Sequence, residues 1–180
     1  VIDAPFVNVS TSCIGVDHRR AQYEVAAKTV MENNCKRILY IAGKRNGYVT
    51  DERIRGMEDL IKEKNLTMLV RNGEFSELQA RNITLKYAKN KDIVVCASDL
   101  MAIGAMKALI QMDIFRPVCG FDGIILMGYV GKQMNTVRQD FASISESAME
   151  ELQELMNGGY GRNIVMKHSL VRMKYEDIIA

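Results

Sequence analysis

Four times in the first 112 residues a short apolar run gives way at once to a stretch with helical spacing, and a fifth run closes the series. The strand patterns are "APFVNV" (4–9), "RILYIAG" (37–43), "LTMLVR" (66–71), "DIVVCA" (92–97) and "RPVCGFDG" (116–123). Between them lie "HRRAQYEVAAKTVMEN", "ERIRGMEDLIKEKN", "ELQARNITLKYAKN" and "LMAIGAMKALIQM". Strands that stay apolar along their length are buried on both faces, which points to parallel strands covered by helices. A β-α repeat of about 25 residues predicts an α/β fold, with a parallel sheet flanked by helices on both faces. Asp17, Thr50 or Asp51, Ser76, and Ser98 or Asp99 stand where helix N-caps are expected.

Past residue 123 the alternation breaks. "IILMGYVGKQM" is apolar without caps, and "NTVRQDF" reads as a short strand. "ASISESAMEELQELMNGG" is an amphipathic helix with Ser143 or Ser145 as its cap and Gly158 at its end, and "NIVMKHSLVRM" closes as extended chain. Late strands around one helix suggest that the chain leaves the main sheet and later returns.

In open parallel sheets, ligands sit beyond the carboxyl ends of the strands, where loops meet helix N-termini. The polar residues of this chain collect there: Asn8, Arg53, Glu74 with Phe75, Ser98 with Asp99, and Asp122. Capping alone would select Ser98 and Asp99, so no one of these positions defines a site by itself. Several ligand-capable groups on one rim do point to one.

Charge and composition narrow the rest. The 24 basic and 22 acidic residues are mixed along the chain, without the basic block of a dedicated nucleic-acid binder. No apolar run approaches the roughly 20 residues of a membrane span, and the start "VIDAPFVNVS" lacks the charged n-region of a signal peptide. Cys13, Cys35, Cys96 and Cys119 are scattered without a CxxC pair, which suits reduced thiols and a cytoplasmic chain. His18 and His168 have no metal-ligand spacing and read as surface or loop residues. No zinc, P-loop, HExxH or GxSxG pattern occurs, so neither a metal nor another cofactor is expected.

Eight segments in order, "GVDHRRAQYEVA", "RILYIAG", "DERIRGMEDL", "NGEFS", "ASDLMAIGAMKAL", "CGFDG", "NTVRQDF" and "SLVRM", resemble the effector-binding core of the lactose-repressor/galactose-repressor (LacI/GalR) family of bacterial transcription regulators. The resemblance implies a periplasmic-binding-protein-like fold: two α/β subdomains joined by three crossovers, with a small molecule clamped between. On that pattern residues 16–136 and 164–180 make the C-terminal effector-binding subdomain, and 1–15 and 137–163 part of the N-terminal one. The DNA-binding headpiece, the hinge helix and the first βα units are expected to lie outside this sequence.

The resemblance also implies roles. Asn8 faces the ligand from the N-terminal side, and Arg53 forks onto ligand hydroxyls or a carboxylate. Phe75 stacks on an apolar ligand face, Asp122 accepts from paired hydroxyls, and Gln139 reads from a crossover. Ser98 departs from the family's usual asparagine, which leaves Asp99 as the expected helix cap and Ser98 as a further reader. The implied ligand is a sugar or sugar-like effector, and the implied macromolecular partner is operator DNA, through the headpiece. A homodimer is expected through Ile125, Leu126, Met127 and Tyr129 and through a face of Met101, Ala105 and Leu109. The alternative is a solute-binding component of a transporter or chemoreceptor, which shares the fold. An enzyme is not expected: Asp122, Glu74 and Arg53 could do acid-base work, but no nucleophile-base pair or metal set accompanies them.

Overall fold

The computed structural model describes residues 1–4, 10–124 and 133–173. Among these residues two compact units are distinguished, one falling within Val1–Asp17 and Gln139–Ser169 and the other within His18–Arg138 and Leu170–Ala180. We call them unit 1 and unit 2.

Unit 2 holds most of a six-stranded sheet with spatial order β3-β2-β4-β5-β6-β8. Its strands are β2 (Arg37–Ala42), β3 (Thr67–Asn72), β4 (Ile93–Cys96), β5 (Val118–Cys119), β6 (Met134–Gln139) and β8 (His168–Met173). The pairs β2-β3, β2-β4, β4-β5 and β5-β6 are all parallel. The continuous apolar runs behave as their patterns demand: β4 is buried throughout and so is β2 after Arg37, whereas β3, at the edge, is half-buried.

The helices are α1 (His18–Asn33), α2 (Tyr48–Lys64), α3 (Glu77–Tyr87) and α4 (Asp99–Gln111). The chain moves outward from β2 to β3 through α2, and back across the sheet through α3 and α4. Right-handed crossovers then put α2 on one face and α3 and α4 on the other. The helix pairs match, α1 on α2 and α3 on α4. Both pairs approach backbone to backbone at a glycine. A Cβ on Gly56 would stand 2.2 Å from the Arg19 carbonyl oxygen, and one on Gly104 2.1 Å from that of Glu77.

Unit 1 contains β1 (Cys13–Val16) paired in parallel with β7 (Asn163–Met166), and α5 (Phe141–Met156). Its polar anchor is Glu151, 3% exposed: the Ser12 hydroxyl donates to its carboxylate at 2.8 Å, and Arg162 pairs with it. These bonds hold the Glu151 carboxyl below its ordinary range.

Several local expectations are corrected. β1 arises at 13–16, where no strand was expected; the expected strand at 4–9 lies almost wholly outside the described residues. Helix α2 starts after Gly47, with no side-chain cap, rather than after Thr50 or Asp51. Asp140, not Ser143 or Ser145, caps α5 by accepting from the Ser143 backbone N–H. Met101, Ala105 and Leu109 are buried and form no exposed face, because α4 packs on the sheet and α3; Leu100, Lys107, Ile110 and Gln111 are its exposed residues. Ile125, Leu126, Met127 and Tyr129 lie outside the described residues.

Candidate functional site

The loops at the carboxyl ends of β2, β3, β4 and β5 carry most of the expected ligand residues, all within unit 2. Arg53, one turn into α2, is 3% exposed. An arginine is buried only when its donors are engaged. One Nη donates to the Ala97 carbonyl at the end of β4, and the other lies 3.3 Å from His18 Nδ1. Arginine cannot accept, so Nδ1 must be the acceptor there. The guanidinium also lies over the Phe121 ring, 3.5 Å from its centroid, a cation-π contact.

Asp122 stands 3.8 Å from Arg53, with its side chain 25% exposed. Its backbone N–H donates to the Val137 carbonyl at 2.8 Å, tying the loop to β6, and its φ is +118°. Glu74 and Phe75 also have left-handed backbones, φ +55° and +56°. Such conformations are strained for residues with a Cβ and concentrate at functional sites. The Phe75 ring lies against the Gly43 backbone: a Cβ there would fall 2.1 Å from Phe75 Cζ and 2.6 Å from Thr50 Oγ1. The Thr50 hydroxyl is buried and finds no hydrogen-bond partner among the described residues.

At the lip of β4 the cap is not the residue expected. Ser98 is the N-cap of α4, its hydroxyl accepting from Met101 N–H at 3.3 Å. Asp99 is the first helical residue and fully buried. Its Oδ1 accepts from Thr136 Oγ1 at 2.6 Å and its Oδ2 from Ile124 N–H at 2.9 Å. Burial pushes the Asp99 carboxyl up to about 7 against the opposing pull of these bonds, and the Asp122 charge adds to the rise. Asp99 thus tethers both β6 and the loop that presents Asp122.

The structure brings Arg53 and Asp122 together, with Phe75 and Ser98 on neighbouring loops. Gln139 is buried and falls in unit 1, and Asn8 lies outside the described residues. Sequence reasoning missed His18, which is 3% exposed beside Arg53 and Phe121 rather than on the surface. Its position as the first residue of a helix after a strand was the available signal. Thr50, first considered only as a cap, was missed in the same way. Among the described residues no group of three or more His, Cys, Asp or Glu is placed to hold a metal ion, and no helix is long and apolar enough to cross a membrane.

A parallel sheet flanked by helices, with an arginine and a carboxylate at its carboxyl rim, is consistent with a periplasmic-binding-protein-like fold. The chain belongs to the family of periplasmic binding protein-like domains, which matches residues 27–175. Within it, its homologues are LacI-family transcription regulators. The MalR regulator of Clostridium butyricum is 28% identical over 171 residues, 89% of this chain and 51% of that protein. The PurR repressor of Vibrio vulnificus is 26% identical over 149 residues, 77% of this chain and 45% of that protein. The chain spans about half the length of these curated relatives.

Solved structures share the fold. A dimeric lac repressor superposes with TM-score 0.83 at 19% identity, covering 94% of this chain and 65% of its own. The regulator CelR with cellobiose gives 0.81 at 22%, covering 91% and 54%. A periplasmic solute-binding protein of Actinobacillus succinogenes with bound D-allose gives 0.81 at 21%, covering 93% and 62%. The named homologues are transcription regulators, not enzymes.

Proposed function

We propose that this chain is the effector-binding core of a bacterial transcription regulator, and that its effector is a sugar or sugar-like molecule bound at the carboxyl rim of unit 2. The observation that carries the reading is the fixed Arg53 guanidinium, stacked on Phe121 and aimed at the partly open Asp122 carboxylate. Neighbouring sugar hydroxyls need a donor fork beside a carboxylate acceptor, and a pyranose face needs a ring to stack on. In this reading Arg53 donates, Asp122 accepts, Phe75 stacks, and the Ser98 and Thr50 hydroxyls complete the near wall. Asn8 and Gln139 read the ligand from the N-terminal subdomain. Residues 16–136 and 164–180 act as the C-terminal subdomain, with 1–15 and 137–163 as part of the other.

Binding would favour one arrangement of the two subdomains and so alter operator affinity through a headpiece outside this sequence. The regulator acts in the cytoplasm as a homodimer. Its unit 2 contact face includes the exposed Leu78, Lys107 and Ile110 of α3 and α4, close enough that Lys107 pairs with Glu77 at 2.6 Å. A second reading, a solute-binding component, is favoured by the likeness to the allose-binding protein.

The test is a thermal-shift screen of monosaccharides, disaccharides, sugar phosphates and nucleobases, repeated on Asp122→Ala and Arg53→Lys. Ligand at about 100 times its Kd stabilises by about 2.7 kcal/mol, which is several degrees for a domain of this size. Loss of the shift in both variants, with their unliganded melts retained, supports the site; an unchanged shift in both refutes it. Nucleobase binding without sugar binding would refute the effector class alone.

A further inference from the structure

Unit 2 carries a second concavity at the opposite edge of its sheet. It is lined by the first residues of β5 and β6, the last turn of α1, the second half of α4 and Arg172 of β8, and encloses about 490 Å³. Small-molecule sites usually occupy about 300–1,000 Å³.

One wall is apolar: Met106, Leu109, Pro117, Val118 and Met134, with Phe115 at the mouth. Phe115 is 72% exposed, unusual for a ring beside a cavity it could help to fill. The other wall is a closed polar network. Asn135, 5% exposed, donates to Thr29 Oγ1 at 3.1 Å and to Glu32 Oε2 at 2.8 Å. Its amide oxygen accepts from Arg172 Nε at 3.1 Å, and Arg172 also donates to Glu32 Oε1 at 2.5 Å. Lys28 pairs with the same carboxylate at 3.0 Å. The Thr29 hydroxyl donates to the Val25 carbonyl at 2.7 Å.

The acceptors of Thr29, Glu32 and Asn135 are thus each engaged, and the charge left over on that wall is positive. Arg172 and Arg116 line the cavity against the single carboxylate of Glu32. Arg116 donates to the Lys91 and Phe115 carbonyls but has no carboxylate within 4.0 Å among the described residues. We propose that this cavity binds a small amphipathic monoanion, an aryl or medium-chain carboxylate. Its apolar body would lie on Met106, Val118 and Met134, and its acid group between Arg116 and Arg172. The cavity shares β6 with the rim: Asn135 lines it, and the next residue, Thr136, holds Asp99. The proposal concerns a site separate from the rim and stands whatever effector the rim takes.

The experiment is calorimetric titration of the full chain with 4-phenylbutyrate, and with neutral 4-phenylbutanol as its uncharged counterpart. Saturable binding of one equivalent of the acid is expected, with the alcohol weaker by roughly tenfold, the effect of losing one charge-assisted contact. Arg116→Gln should weaken the acid roughly tenfold and leave the alcohol unchanged. Phe115→Asp, a change at an exposed position that leaves the core intact, should weaken the acid by at least as much. No saturation by the acid at millimolar concentration overturns the proposal. So does binding of the acid that neither variant changes, or an alcohol that binds as tightly as the acid.

Discussion

Replacing Asp99 by asparagine should change the pH dependence of stability more than stability itself. Asp99 is fully buried, and its carboxyl titrates at about 7 in the fold, against about 3.9 in an unfolded chain. The folded protein therefore holds a proton that the unfolded chain has released at every pH between those values. Stability must fall as pH rises through that window and level off above about 7. At about 1.36 kcal/mol per pH unit, the full penalty at high pH is on the order of 4 kcal/mol, of which about 3 kcal/mol develops between pH 5 and pH 8. Asparagine resembles the protonated carboxyl: its oxygen can accept from Ile124 N–H, and its amide can donate to Thr136 once that hydroxyl turns. The charged or titratable groups around Asp99 are the Asp122 carboxylate and the Cys96 and Cys119 thiols. Carboxylates held below their usual range, such as Asp59, Glu32 and Asp140, have released their protons below pH 5 in both states. Urea denaturation of parent and Asp99→Asn at pH 5 and pH 8 isolates the effect. The variant should gain about 2–3 kcal/mol on the parent between the two pH values. Equal differences at pH 5 and pH 8 would refute the buried, proton-holding reading of Asp99.

Other outcomes follow from packing. Gly56→Ala should destabilise by about 2 kcal/mol, because overpacking costs more than the roughly 1 kcal/mol of helix propensity gained; a variant as stable as the parent would show that α1 and α2 are not in backbone contact. All four cysteines are buried, and burial pushes the Cys119 thiol up to about 12. A thiol reagent at pH 8 should therefore label none in the native protein and four in denaturant, and rapid native labelling would contradict their burial. Ile110→Asp adds a charge on an exposed residue of α4. It should shift sedimentation of a dimer toward monomer with an unchanged melt of the monomer, and a persistent dimer would remove α4 from the interface.

The class of fold was legible because burial on both faces writes itself directly into composition. "RILYIA" and "IVVC" are apolar at every position after Arg37, as strands of a helix-covered parallel sheet must be, and the helical stretches between them mark the sheet as parallel. The glycine-ended turns and the strand-to-helix repeat then fixed the direction of the sheet and the rim where Arg53 and Asp122 meet. The short strand "CIGV" was not legible: four residues with a central glycine carry little propensity, and the partner, β7, lies about 150 residues away. Helix starts were read to within a few residues, and Ser76 caps α3 as expected, but the caps of α2 and α5 were misassigned.

What sequence alone determined is thus what local chemistry and periodicity control: an α/β chain, its helices and strands, and the polar groups at their ends. Tertiary structure decided how those groups are used. Ser98 and Asp99 are equally suited to cap a helix, and Asp99 was freed for another task only because Thr136 and the Ile124 N–H, far along the chain, arrive within reach of its carboxylate. His18 reads as a surface residue until Arg53 and Phe121 close over it. Met101, Ala105 and Leu109 look like an available face until the sheet and α3 cover them. Pairing and burial of this kind depend on contacts between distant segments, and no local pattern encodes which partner will arrive.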